Sequence, residues 1–138
     1  IAKRLNFPFN ERFDFHFYGP YSEELTLKIE ELCNLGLVKE VNEKKGGYFQ
    51  YRYSLTDEGK AFLLHYDMNI PLLNQFVEVL NGESSRFLEL VSTILYFEQL
   101  DKQAIKEKIA VVKRKQAYSE DEVEKGFHYI ESIKKIAH

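Results

Sequence analysis

A mainly α fold with one small antiparallel β-hairpin is what this sequence predicts, and three observations carry the prediction. The stretch from Phe15 to Leu64 reads FHFYGPYSEELTLKIEELCNLGLVKEVNEKKGGYFQYRYSLTDEGKAFLL, in which a helical pattern ends at Gly36 and a second begins after Leu55. Between them stand two β-like runs joined by Lys44-Lys45-Gly46-Gly47. Beyond Tyr66 apolar residues recur at helical spacing only. Helix, hairpin, helix is the order of a winged helix-turn-helix. The expected architecture is therefore a winged-helix domain over residues 1–66, followed by a helical C-terminal extension over residues 67–138 that packs on it.

Each element has a local cause. Leu25, Ile29, Leu32 and Cys33 recur at helical spacing, Ser22 stands where its hydroxyl can cap the first turn, and Glu23 and Glu24 complement the helix dipole. A helix is predicted from Ser22 to Leu35, with Gly36 as its left-handed stop. Residues 37–41 and 48–55 are rich in β-branched and aromatic side chains, and the chain is expected to turn at Lys45-Gly46-Gly47, where glycine permits positive φ. The second run alternates, placing Tyr51, Tyr53 and Leu55 on one face. Thr56 caps the next helix, with Asp57 and Glu58 in its first turn.

The remainder reads as helices. Pro71 suits the first turn of a short helix from Leu72 to Leu80, and Asn81-Gly82 marks a break. Ser84 or Ser85 starts a helix carrying Phe87, Leu88, Val91 and Leu95 that ends near Asp101. Ile105, Ile109 and Val112 mark another. A last helix opens at Ser119, whose capping-box partner is Glu122, and runs through Val123, Phe127, Ile130 and Ile133.

Composition bounds the function. With 138 residues, 44% of them hydrophobic and 14% aromatic, the chain can bury a core and is not disordered. A formal charge of −3 gives no global attraction to a polyanion, so nucleic-acid contact would rest on a local patch. A single cysteine forms no internal disulfide, and no apolar run reaches the ~20 residues of a membrane span. A cytoplasmic protein without membrane contact is expected. Ile1-Ala2-Lys3-Arg4-Leu5 looks like the tail of a helix, so an upstream segment is expected as well.

YGPYSEEL at 18–25, LGLVKE at 35–40, YSLTDEGKAFL at 53–63, LVSTILYF at 90–97 and YSEDEVEKGF at 118–127 together resemble the YwgA-like group of uncharacterised prokaryotic proteins. More distantly, the chain is similar to Panacea-domain antitoxins, which also carry a Gly-Pro turn before a helix. The resemblance covers most of the chain from Phe15 onward. It implies a preceding helix with a Gln-Lys pair, which this sequence lacks and of which residues 1–5 fit the end. No substrate or catalytic residue comes with it.

Two non-enzymatic functions are weighed. The leading expectation is a dimeric transcriptional regulator that binds double-stranded DNA, with Lys39, Lys44, Lys45 and Arg52 of the wing on the backbone and Tyr21, Ser22, Lys28 and Asn34 facing the groove. Against it, the segment from Tyr21 to Gly36 sets Glu23, Glu24, Glu30 and Glu31 against the single cation Lys28, a poor surface for phosphates. Lysines at a hairpin tip are equally an ordinary device for keeping an edge soluble. The alternative is a protein-binding module of antitoxin or adaptor type, in which the acidic helix and aromatic surface engage a basic partner. The aromatics from Phe13, Phe15, Phe17, Tyr18 and Tyr21 to Tyr48, Phe49, Tyr51 and Tyr53 could stack on bases, but alternation favours packing for many of them.

Lys106, Lys108, Lys113, Arg114 and Lys115 form a second basic cluster, read by default as a solvated helix end. The apolar load after Gly82 suggests a homodimer interface, with Ile94 and Phe127 as first candidates, or helices that bury one another. Catalytic chemistry finds little support. His16 reads as a partly packed residue, and His65, His128 and His138 have no companions at metal-ligand spacing. Cys33 lies on an apolar helix face without an activating base. No cofactor and no metal site is expected.

Overall fold

A computed structural model describes residues 1–17, 19–66, 70 and 72–137. A short 3-10 turn at Ala2–Leu5 precedes β1 (Asp14–His16), β2 (Gly19–Tyr21), α1 (Glu23–Asn34), β3 (Val38–Lys45), β4 (Tyr48–Leu55), α2 (Asp57–His65), α3 (Leu73–Asn81), α4 (Ser85–Tyr96), α5 (Lys102–Val112) and α6 (Glu120–Ala137). The fold is mixed α and β: among the described residues, six α-helices accompany two separate antiparallel hairpins, β1-β2 and β3-β4. The chain forms two compact units, one of Ile1–Tyr21 with Ile70–His138 and one of Ser22–Asn69.

This division differs from the one expected at residue 66. Leu5 and Phe7 are buried in one cluster with Phe76 and the later helices, and the rings of Phe7 and Phe76 stack at 4.6 Å. Apolar burial thus assigns residues 1–21 to the helical unit. The β1-β2 hairpin was also not foreseen. Its register pairs His16 with Gly19 and Phe15 with Pro20, so the Gly-Pro pair begins a strand rather than forming the turn. Gly19 takes φ +111°, a conformation open to glycine and strained for other residues.

In the helical unit, α4, α5 and α6 begin at side-chain oxygens that cap their N-termini. Ser84 Oγ accepts the Phe87 N–H at 3.2 Å, and Asp101 Oδ1 accepts that of Ala104 at 2.9 Å. The expected capping box forms in both directions, with Ser119 Oγ accepting from Glu122 N at 3.1 Å and Glu122 Oε1 accepting from Ser119 N at 3.3 Å. Leu90, Val91, Ile94 and Leu95 of α4 pack with Ile105, Ile109, Val123, Ile130 and Ile133 in one core. Gly126 admits this close approach, because a Cβ there would stand 2.7 Å from Ile94 Cδ1. Ile94, expected as a dimer contact, is therefore an interior residue at 2% exposure, and Phe127 is half-buried against the same cluster. The helices bury one another. The expected position of Pro71 lies outside the described residues, as do Tyr18 and His138.

The second unit is built around one junction. Gly36 at φ +72° ends α1, its N–H reaching Cys33 O at 3.0 Å while Leu37 N–H reaches Leu32 O at 3.0 Å, the double closure of a Schellman stop. Thr56 then joins three elements. Its N–H donates to Leu37 O at 3.1 Å, its hydroxyl donates to Gly36 O at 2.6 Å, and its Oγ1 accepts the Gly59 N–H as the cap of α2. Gly59 faces the Leu37 carbonyl so closely that a Cβ would lie 2.0 Å from that oxygen. The LGL and LTDEG segments are thus two halves of one contact. Between them β3 runs four residues further than the sequence suggested, because Tyr48–Tyr51 carry Asn42–Lys45 into the ladder up to a two-residue Gly46-Gly47 turn.

Candidate functional site

The second unit positions seven of the eight residues expected to contact DNA, and Tyr21 belongs to the other, its ring 5.5 Å from that of His16. Ser22 does not present its hydroxyl to a ligand. It is 4% exposed, and its Oγ accepts the Leu25 N–H at 3.2 Å because a helix N-terminus needs that acceptor. Lys28 and Asn34 lie on the surface of α1, where they share a shallow depression of about 450 Å³ with Leu27, Glu30, Glu31 and Leu35.

The hairpin register separates the wing cations. Lys39, Val41, Glu43 and Lys45 alternate along one face of β3, opposite Ser54, Arg52, Gln50 and Tyr48 of β4. Lys44 is on the other face, opposite Phe49. Two of the three cations on the first face converge on one carboxylate, Arg52 Nη1 at 3.4 Å and Lys45 Nζ at 3.8 Å from Glu43. Both pairs are exposed and individually weak, yet they place a negative charge in the middle of the surface meant for phosphates. Sequence reading missed Glu43; the cross-strand register, fixed by Gly46-Gly47, was the signal that could have found it.

The other hairpin face carries Val38, Glu40, Asn42 and Lys44 opposite Leu55, Tyr53, Tyr51 and Phe49. Alternation suggested that these aromatics pack. Instead Phe49, Tyr51 and Tyr53 are 67%, 60% and 46% exposed. Tyr53 is hydrogen-bonded to its cross-strand neighbour Glu40, which pushes the phenol up to about 12. On α1 the inward positions are Ser22, Thr26, Ile29 and Cys33, so Leu25 and Leu32, expected inside, are exposed along with Leu27 and Leu35. Phe62 and Tyr66 at the end of α2 stack on each other at 4.6 Å and remain open to solvent. Among the described residues this unit has no buried hydrophobic side chain.

The second basic cluster also changes character. Lys113 is not at a solvated helix end but buried, donating to Phe17 O and to Glu89 Oε1, each at 2.6 Å. Among the described residues no group of three His, Cys, Asp or Glu side chains could hold a metal ion, and no helix is long and apolar enough to cross a membrane.

These features define a mixed α and β protein with a helical unit and a separate helix–hairpin–helix unit. The chain belongs to the YwgA family: it is 60% identical over 136 residues to the uncharacterised protein YwgA of Bacillus subtilis (strain 168), covering 99% of this chain and 82% of that relative. No protein-family profile matches the chain. No solved structure matches it.

Proposed function

We propose that this chain is a non-enzymatic protein-binding module whose α1–β3–β4–α2 unit, read as a winged helix used for packing, forms the contact surface. One observation carries the reading: this unit buries no hydrophobic side chain among its described residues while exposing Leu27, Leu35, Phe49, Tyr51, Phe62 and Leu64. Exposed apolar surface on this scale marks protein contact sites.

DNA contact through the wing is the second reading, favoured by Lys39 and Lys44, which are exposed and have no ion pair among the described residues. The acidic α1 and the pairing of Lys45 and Arg52 with Glu43 rank it below the first.

Site-specific photocrosslinking in the native host tests the proposal. A benzophenone side chain at Leu35 or Tyr51 is expected to trap one and the same protein, and one at exposed Lys125 of α6 to trap none. Adducts to nucleic acid, or none from either position, would overturn it.

A further inference from the structure

We propose that the outward face of α1 is the part of this surface that recognises its partner, and that the partner presents a cationic amphipathic helix. The inference rests on the protein-binding reading and adds to it a location and a chemistry.

The face is defined by what lies opposite it. Ser22, Thr26, Ile29 and Cys33 follow one another at helical spacing and are buried or half-buried, so the reverse side displays Glu24, Leu27, Lys28, Glu31 and Leu35 to solvent, with Glu23, Glu30 and Asn34 along one edge. Leu27 and Leu35, 58% and 66% exposed, stand at the two ends of the depression of about 450 Å³. They are separated by roughly 12 Å along the axis, two helical turns. That spacing matches apolar anchors at i, i+3 or i+4, and i+7 on a facing helix.

Charge selects the sign of the partner. α1 carries four glutamates and one lysine. A helix with leucines on one side and Lys or Arg flanking them would seat its apolar residues on Leu27 and Leu35 and its cations beside Glu30 and Glu31. Complementary potentials of this kind govern encounter and partner choice. A second copy of α1 would set glutamate against glutamate, and duplex DNA would meet the same repulsion. An extended strand is also disfavoured here. The backbone groups of α1 are closed within the helix, by the Ser22 cap and by the stop at Gly36, which leaves side chains as the means of recognition.

The probe is a synthetic helical peptide of about five turns, leucine on one face and lysine elsewhere, labelled for fluorescence anisotropy and titrated with the full chain at physiological ionic strength. A matched peptide with glutamate in place of every lysine keeps the apolar face and reverses the charge. The lysine peptide is expected to bind, and the glutamate peptide to bind at least about tenfold more weakly. Leu27→Gln with Leu35→Gln, and separately Glu30→Gln with Glu31→Gln, should each weaken the lysine peptide by about tenfold or more. All four positions are exposed, so the fold is retained, which circular dichroism checks. Phe49→Ser with Tyr51→Ser should weaken it less than either α1 pair, and Val111→Ser on exposed α5, outside the contact surface, should leave the affinity unchanged. Absence of binding, equal binding of both peptides, or indifference to the α1 substitutions would overturn the inference. Loss only in the hairpin variant would remove α1 as the recognition face while leaving the protein-binding reading intact.

Discussion

Lys113 Nζ lies 2.6 Å from Glu89 Oε1, with the lysine side chain wholly buried and the carboxylate largely so. The ammonium also donates to Phe17 O at 2.6 Å and sits 5.4 Å from the Phe15 ring, and Gln116 Nε2 donates to the same Glu89 oxygen at 3.0 Å. One ion pair thereby ties the β1-β2 hairpin to α4 and to the end of α5. Removing one partner leaves the other charge buried and unsatisfied. Lys113→Met should cost about 3–5 kcal/mol in urea unfolding, and adding Glu89→Leu should restore much of that loss. A cost below about 1 kcal/mol for the single variant would show that the pair contributes little.

Gly59 provides the corresponding test in the other unit. A Cβ there meets the Leu37 carbonyl oxygen at 2.0 Å, and a backbone atom cannot rotate away as a side chain can. Gly59→Ala is expected to destabilise this unit by about 1–3 kcal/mol, with α2 pushed off the start of β3. Gly47→Ala, where nothing lies within 4 Å and φ is not positive, serves as the control. Thermal unfolding followed by circular dichroism compares the two; equal transitions would contradict the junction described above.

Most of the element order was legible in the sequence because its causes are local. Ser22, Gly36, Thr56, Ser84 and the Ser119–Glu122 pair act within a few residues of themselves, and each appears as a cap or stop. What the sequence concealed depends on partners far along the chain. Lys113 looks like one more lysine in a basic run until Glu89 and Phe17 are brought to it across 24 and 96 residues. The assignment of residues 1–21 to the helical unit likewise rests on Phe7 meeting Phe76. On the candidate surface, alternation correctly put Tyr51, Tyr53 and Leu55 on one face. Periodicity can assign residues to a face, but it carries no information on whether anything covers that face.

Acid stability should follow the ion pairs that tie α6 to α5 and to α4. Lys106 and Lys102 hold the Glu124 carboxylate at 2.5 and 2.9 Å and pull its pKa from 4.5 down to about 2. Glu122 is lowered as well, by Arg86 at 3.0 Å and by the Ser119 N–H. Folded-state values below the ordinary one mean that ionisation favours the folded form. The contribution is complete above about pH 4.5 and is lost as pH falls toward 2. Unfolding midpoints across that window should decline in the parent protein and decline less steeply in Glu124→Gln; parallel curves would contradict the assignment.

The central claim, that the α1–β3–β4–α2 unit faces protein rather than nucleic acid, meets its most direct test in a duplex-binding titration. Fluorescence anisotropy of a labelled mixed-sequence duplex is followed against the parent chain and against Lys44→Ala, Lys45→Ala, Arg52→Ala, at low and at physiological salt. The account predicts no saturable binding at physiological salt up to ~100 μM, the range where even non-specific DNA binders associate, and no difference between the parent and the triple variant. Saturable binding that falls with salt, and whose salt dependence weakens by about one unit for each cation removed, would contradict it and restore the wing as a DNA contact.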